Sequence, residues 1–251
     1  IISNILNKEN IEVLNAGRAS YSPVIYLTKI KYLIENEKLE FDEVMVFIDI
    51  SDAQDEYGYF LNKGKVEYRY SENKDSVKYS QMNFYNKVRV FLDRNTVVSY
   101  FIIKEFFHFF RKKDSREKFK NILSDKFDRD KWTLNKNVYN NYGREGEMLM
   151  IKYMTELKDL LSNHSIKLSI GVYPWPSQVF FEDLNSRQVQ IWKDWSKKYN
   201  IKFYNFFPIF VKKNLSDREK FNNLEEFYFP YDVHFNEKGN RAIAEYFIKE
   251  Y

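Results

Sequence analysis

Cysteine is missing from the chain, which has 251 residues. Without a thiol, the protein cannot form a disulfide, build a thiolate metal site or use a cysteine nucleophile. The absence of cysteine does not assign the protein to a compartment. The absence of cysteine therefore excludes disulfides, thiolate metal sites and cysteine nucleophiles, and it leaves the cellular location of the protein open.

The sequence also lacks a long apolar run, a strong charge of one sign and a glycine-rich phosphate loop. The longest apolar stretch, residues 97–110, contains Lys104 and Glu105 and is too short to cross a bilayer, so it predicts a buried helix. Forty basic and 36 acidic residues leave a net charge of +4, which is too small and evenly spread to indicate nucleic acid as a partner. Without a glycine-rich strand-to-helix loop, a nucleotide-binding module is the least favoured hypothesis.

What is present fits one domain with one core, since 44% of the residues are hydrophobic. Apolar runs predict buried strands, and helical spacing predicts helices between them. The predicted strands are residues 11–15, 44–50, 166–173 and 201–204. The main helices are 24–34, 145–162, 236–251 and one within 179–200 that carries Trp192 and Trp195. This alternation predicts a three-layer α/β/α sandwich with a mostly parallel sheet.

An insertion at residues 59–141 interrupts the alternation. Residues 59–70 predict a hairpin centred on Asn62, Lys63 and Gly64. Amphipathic helices are predicted at 83–92 and 95–113, and residues 115–141 have Trp132 as their one large apolar anchor. We expect the insertion to form a lid or cap.

In parallel sheets, ligands bind at the carboxyl ends of the strands, and that rule selects candidate residues. Four loops should converge there, following residue 15, residue 50, residue 172 and residue 231. Their candidate residues are Gly17, Asp49, Ser51, Asp52, Tyr173, Trp175, Asp232 and His234.

Asp232 and His234 are two residues apart, just before the last predicted helix. In an extended segment, side chains at this spacing project to the same side. Asp232 could then hold the imidazole, or both could bind something else, or the pair could be a capped surface loop. Gly17 similarly fits either a tight turn or a backbone amide that is free to approach an oxyanion.

The other candidates also have two interpretations. Ser51, Asp52, Asp55 and Glu56 carry oxygens that suit a hard cation, but their spacing matches no calcium loop, and Asp55 and Glu56 fit a solvated turn with helix-capping acids. In the loop at 173–178, the aromatic rings could stack on a sugar or could brace the loop itself.

Three segments together resemble the SGNH or GDSL-like hydrolases, in the branch related to bacterial polysaccharide O-acetyltransferases and esterases. Residues 232–240, Asp-Val-His-Phe-Asn-Glu-Lys-Gly-Asn, resemble the closing block of that family. Residues 12–17 followed by Ser-Tyr-Ser-Pro at 20–23 are similar to its second block. Residues 47–52, Phe-Ile-Asp-Ile-Ser-Asp, occupy the place of its third block, and the resemblance covers almost the whole chain.

The resemblance implies acyl transfer through a serine ester of a carbohydrate substrate, without a metal or an organic cofactor. His234 would move the protons, and Asp232 would fix its tautomer. Gly17 would donate its amide to the oxyanion, and Ser51 would be the second donor where the family has asparagine, a longer and less mobile donor. Asp52 and the aromatic residues Tyr173 and Trp175 would contact the substrate.

The family nucleophile belongs to a Gly-Asp-Ser block, which these 251 residues do not contain. The chain begins without an initiator methionine, so we expect that block ahead of Ile1, with room for a membrane anchor there and an extracytoplasmic location in a bacterium. Ser20, Ser22 and Ser177 are not predicted to occupy an exposed strand-to-helix turn, where a nucleophile would sit. The alternative is a catalytically inactive carbohydrate-binding or scaffold domain of the same fold.

Overall fold

The computed structural model describes residues 2–6, 10–18, 20–62, 65–68 and 115–251. The helices predicted at 83–92 and 95–113, and with them most of the expected cap, lie outside the described residues.

A parallel sheet of three strands forms the centre of the fold. The strands are β1 (Glu43–Ile48), β4 (Lys167–Val172) and β5 (Lys202–Asn205), in the order β1-β4-β5. Both pairings are parallel, with Phe47 opposite Gly171 and Gly171 opposite Tyr204. The parallel α/β arrangement predicted from the apolar runs is confirmed.

Helices flank this sheet. The longer ones are α1 (Ile2–Leu6), α2 (Pro23–Glu35), α3 (Asp52–Gly58), α4 (Ser115–Leu123), α6 (Arg144–Asn163), α7 (Pro176–Phe180), α8 (Arg187–Tyr199), α10 (Asp217–Phe227) and α11 (Glu237–Glu250). Short turns are the 3-10 helix Lys131–Thr133, α5 (Lys136–Val138), a π-helical turn (Tyr139–Gly143) and α9 (Phe207–Phe210). A separate antiparallel hairpin, β2 (Tyr59–Asn62) with β3 (Lys65–Tyr68), follows α3 and confirms the predicted hairpin.

Helix α6 packs against α3, the helix that directly follows β1. Its buried stripe includes Met150, Met154, Leu157 and Leu161, at the i, i+4, i+7 and i+11 spacing of one helix face. Helices α2 and α3 both pack against α6. The approach of α3 is close because position 146 is glycine: a Cβ there would lie 2.0 Å from the carbonyl oxygen of Ala53. The start of α3, directly after β1, is thereby fixed.

Two sequence predictions are wrong in detail. Residues 11–15 form no strand, because an extended segment becomes a strand only with a ladder partner and none is present in the described residues. The acids after Ser51 form helix α3 instead of a solvated turn. The helix expected within 179–200 is confirmed as α8, which begins at Arg187 and carries Trp192 and Trp195.

The core beneath the sheet is rich in aromatic rings, and Trp132 is buried as predicted. Phe206, Phe207 and Phe210 follow β5 and are fully buried, as is Trp192 of α8. In the part of the chain that the structure describes, no helix is long and apolar enough to cross a membrane.

Candidate functional site

The Asp232 and His234 side chains contact each other. Oδ1 of Asp232 lies 2.6 Å from Nδ1 of His234, and 76% of the imidazole and 49% of the Asp232 side chain are exposed. The amides of Val233 and His234 donate to the same carboxylate oxygen, at 2.7 and 3.3 Å. The carboxylate therefore orients the ring through Nδ1, and Nε2 is not part of this contact.

The protonation of Asp232 follows from these contacts. Partial burial raises the pKa of its carboxyl, but the hydrogen bond and charge of His234, with the amides of Val233 and His234, outweigh burial. The pKa of Asp232 is consequently below its ordinary value, and the side chain is ionised at neutral pH.

The backbone of the turn that carries this pair is closed on itself and anchored to α4. The amide of Phe229 donates to the carbonyl of His234 at 3.0 Å, and the amide of Tyr231 donates to the carbonyl of Lys118 at 3.1 Å. Tyr231 has a φ of 64°, a left-handed conformation that a bulky residue rarely adopts. Asn236 ends the turn as the N-cap of α11, accepting from the amide of Gly239 at 3.0 Å.

Two exposed aromatic side chains lie on the same turn. Phe229 is 50% and Tyr231 is 43% exposed, which is high for residues of their size. Sequence reasoning did not select either of them. The turn that carries His234 therefore exposes apolar as well as polar side chains.

At the carboxyl end of β1, Asp49 holds the loop that follows β4. Its Oδ2 accepts hydrogen bonds from the hydroxyl of Tyr173 at 2.6 Å and from Nε1 of Trp175 at 2.9 Å. Its Oδ1 accepts from the amide of Ser51 at 2.7 Å. Asp49 thus joins two of the loops that the strand-end rule brings to one edge.

The same loop connects to the turn of His234. The Tyr173 ring packs edge-on against Phe235, with centroids 5.8 Å apart. Tyr228 stacks on Phe235 at 4.6 Å and donates its hydroxyl to the carbonyl of Pro174 at 2.8 Å. Asp49, the 173–175 loop and the residue after His234 therefore form one contiguous set of contacts.

Trp175 and Tyr173 are placed as braces of the loop. Trp175 is 7% exposed and stacks on Phe127, with ring centroids 6.2 Å apart. Burial raises the pKa of the Tyr173 hydroxyl, and Asp49, which accepts its hydrogen bond, raises the pKa further. These contacts match the bracing interpretation of the loop.

Asp52 lies inside the fold, at the start of α3. Its Oδ2 accepts from the hydroxyl of Tyr26 at 2.9 Å and from the amide of Asp49 at 3.2 Å. Burial, reinforced by the nearby charge of Asp49, raises the pKa of the Asp52 carboxyl well above its ordinary value.

Ser51 and Gly17 have local partners. Ser51 is buried at the N-terminus of α3, where its amide serves Asp49. Gly17 lies in an exposed loop, and its amide donates to Oδ1 of Asn15 at 3.0 Å. No hydrogen bond joins Gly17 to Asp232 or His234 in the described residues.

Glu56 differs from its expected role as a solvated capping acid, because its side chain is fully buried. Its Oε1 accepts from the amide of Val24 at 2.6 Å, so it caps α2 and not its own helix. Burial raises its pKa to about 7 against the opposing effects of the Val24 amide and the Ser22 hydroxyl. Asp55 does lie in the first turn of α3, where it forms a two-oxygen contact with Arg129.

Of the three serines considered as nucleophiles, Ser177 alone lies between a strand and a helix, at the start of α7 after β4. It is fully buried, and its hydroxyl contacts Nζ of Lys131. Ser22 is also buried, and the exposed Ser20 lies in a loop with a φ of 63°. A buried hydroxyl cannot meet a substrate, so the structure gives no reason to assign Ser177 as nucleophile.

Sequence reasoning placed Asp49 at this edge of the sheet, as the one acid in the apolar run at 44–50, but gave it no role. It did not select Tyr228. The described residues contain no group of three or more histidine, cysteine or acidic side chains that could hold a metal ion. No protein-family model, curated protein or solved structure matches the chain.

Proposed function

We propose that the protein is a serine-type hydrolase or O-acyltransferase acting on acyl esters, most simply acetyl esters, of a carbohydrate, with a three-layer SGNH-like fold. The observation that supports it is the 2.6 Å contact between Asp232 and Nδ1 of His234, with the imidazole open to solvent. A carboxylate on one nitrogen and access at the other is the arrangement of a general base. The carbohydrate comes from the family resemblance and is supported by the exposed rings of Phe229 and Tyr231 on the turn that carries His234.

In the proposed reaction, Nε2 of His234 takes the proton of a serine hydroxyl as its oxygen attacks the acyl carbon. The tetrahedral adduct then collapses: the bond to the sugar oxygen breaks, and His234 returns the proton to that oxygen. Water or a second sugar hydroxyl next attacks the acyl-serine, and His234 takes and returns the proton again. Asp232 stays ionised and stabilises the imidazolium in both halves.

We propose the Gly17 amide as an oxyanion donor, in competition with the Asn15 side chain. An oxyanion would replace Oδ1 of Asn15 as the acceptor of that amide. A fixed donor of this kind is worth about 3 kcal/mol in the transition state. Asn15→Asp should lower kcat, because a carboxylate competes more strongly for the amide, and unchanged kcat would remove Gly17 from the mechanism.

The test is hydrolysis of a short-chain aryl acetate by protein made from the complete reading frame. His234→Ala should lower kcat/KM by about 10³-fold or more, and Asp232→Asn by a comparable factor, since each disables the base. His164→Ala is the matched control, because His164 is exposed beyond the end of α6 and should leave activity unchanged. Full activity in His234→Ala would refute the proposal.

A serine-reactive phosphonate tests the nucleophile separately. Mass analysis should find the label on a serine of a Gly-Asp-Ser block, which the 251 residues here do not contain. If the protein shows neither hydrolysis nor labelling but binds acylated glycans, the alternative of an inactive carbohydrate-binding domain would instead be established. Labelling of Ser20 or Ser22 would overturn the assignment of the nucleophile.

A further inference from the structure

We propose that Asp49 is a positioning residue of the candidate site, which sets the place of the His234 turn through the aromatic side chains that it holds. This inference rests on the proposed function for its kinetic consequence. Its structural part, the coupling between Asp49 and His234, can be measured without turnover.

The first step is that both oxygens of Asp49 are committed. Oδ2 accepts from Tyr173 at 2.6 Å and from Trp175 at 2.9 Å, and Oδ1 accepts from the amide of Ser51 at 2.7 Å. Three donors on one half-buried carboxylate exceed what a surface acid at a strand end normally collects. Hydrogen bonds to a charged acceptor are also about twice as strong as neutral ones.

The second step leads from Tyr173 to the imidazole. Its ring packs against Phe235, the residue that directly follows His234. Phe235 is also held by Tyr228, which stacks on its ring and pairs with its backbone. A shift of the Tyr173 ring must therefore move the backbone next to His234 or open the packing around Phe235.

The third step concerns the charge of Asp49 and the hydrogen bonds that both of its oxygens can accept. An asparagine has the same shape but one acceptor and one donor end. If its oxygen faces Tyr173 and Trp175, its NH2 group opposes the amide of Ser51, and in the flipped orientation it opposes the two aromatic donors. Asp49→Asn must therefore lose one set of contacts without creating a cavity.

The kinetic experiment compares Asp49→Asn, Tyr173→Phe and Trp175→Phe in aryl acetate hydrolysis, with Asp194→Asn as the control on an exposed part of α8. We expect kcat to fall by about 10-fold to 10²-fold in Asp49→Asn and Tyr173→Phe with little change in KM, as for a displaced catalytic group. Trp175→Phe should have a smaller effect, because Phe127 still holds that ring. Equal loss in all variants, or loss in KM alone, would refute a positioning role.

Imidazole NMR provides the readout that does not need turnover. The chain has three histidines, so the His234 signals can be assigned by their loss in His234→Ala. Asp49→Asn and Tyr173→Phe should shift the His234 signals and leave the His164 signals in place. Unchanged His234 signals in folded Tyr173→Phe, which keeps the whole ring, would overturn the inference even if Asp49→Asn failed to fold. If the wild-type protein is inactive but the substitutions still shift the His234 signals, the result would count against the proposed function and in favour of the coupling between Asp49 and His234.

Discussion

Replacing Glu56 by glutamine removes a buried acid while keeping its shape and its hydrogen bond. Oε1 of the glutamine can still accept from the amide of Val24, where Glu56 accepts at 2.6 Å. What disappears is the ability of the side chain to become charged inside the fold. The substitution therefore isolates the cost of ionising this position.

The size of that cost follows from the pKa of Glu56, which burial raises from 4.5 to about 7. Between those values the folded protein binds a proton that the unfolded chain has released, so the free energy of unfolding falls as pH rises. The stabilisation from the protonated acid is complete below pH 4.5 and is lost as pH rises through about 7. The difference of about 2.5 pH units, at about 1.36 kcal/mol each, amounts to about 3 kcal/mol.

The assay is urea unfolding at pH 5 and at pH 8.5 for the wild-type protein and Glu56→Gln. The stability gained by the variant relative to wild type should increase between the two pH values by about 2.5 kcal/mol, since pH 5 already lies above 4.5. In thermal unfolding this corresponds to roughly 5–10 °C for a chain of this size. Glu245→Gln, at an exposed position of α11, is the control and should follow the wild type at both pH values.

Parallel stability of Glu56→Gln and wild type across this pH range would refute the reasoning. It would mean that the carboxylate is solvated or paired in the folded protein. The comparison with the variant is needed because Asp130 acts in the same direction: burial raises its pKa to about 6.

Two further substitutions test packing near β1. Gly146→Ala should destabilise the protein by about 1–3 kcal/mol or more in urea unfolding, because its Cβ would meet the carbonyl oxygen of Ala53 at 2.0 Å. Gly17→Ala is its control, since the nearest atom to a Cβ there is a side-chain oxygen at 3.3 Å, and equal effects at both positions would contradict the close approach of α3 and α6. Trp132→Phe should cost about 1–3 kcal/mol, because the carbonyl of Ile50 loses the indole hydrogen bond at 2.7 Å, and stability within error of wild type would show that this carbonyl finds another donor.

The sheet could be predicted because its signals are local. An uninterrupted apolar run such as that of β1 indicates a strand buried on both faces, and the helical spacing of α6 indicates one buried side. Residues 11–15 also have an apolar pattern that predicts a strand. Ile11 and Val13 are partly buried, yet the segment forms no strand. Strand formation depends on a partner, and a local pattern does not contain that information.

Helix α10 was missed although its start is marked in the sequence. Ser216 and Glu219 form a capping box, with Oε2 of Glu219 accepting from the Ser216 amide at 2.8 Å. Helix α3 had no such signal, since its acids resemble a solvated turn. It is held by α6, which lies almost a hundred residues further along the chain, and burial of Glu56 is a product of that packing.

The candidate site also has one part that could be predicted from the sequence and one part that could not. The contact of Asp232 with His234 follows from their spacing of two residues. The partners of Asp49 lie 124 and 126 residues away, so only the fold brings them together. An acid in an apolar strand marks a position of interest, but its role depends on donors that come from another loop.

Helix α4 has a consequence for the site although none of its side chains takes part in the proposed chemistry. The carbonyl of Lys118 receives the amide of Tyr231, and Nζ of Lys118 contacts Glu225 of α10. The turn that carries His234 therefore contacts both α4 and the 173–175 loop, which Asp49 holds. A displacement of α4 would therefore also move the backbone of the turn that carries Asp232 and His234.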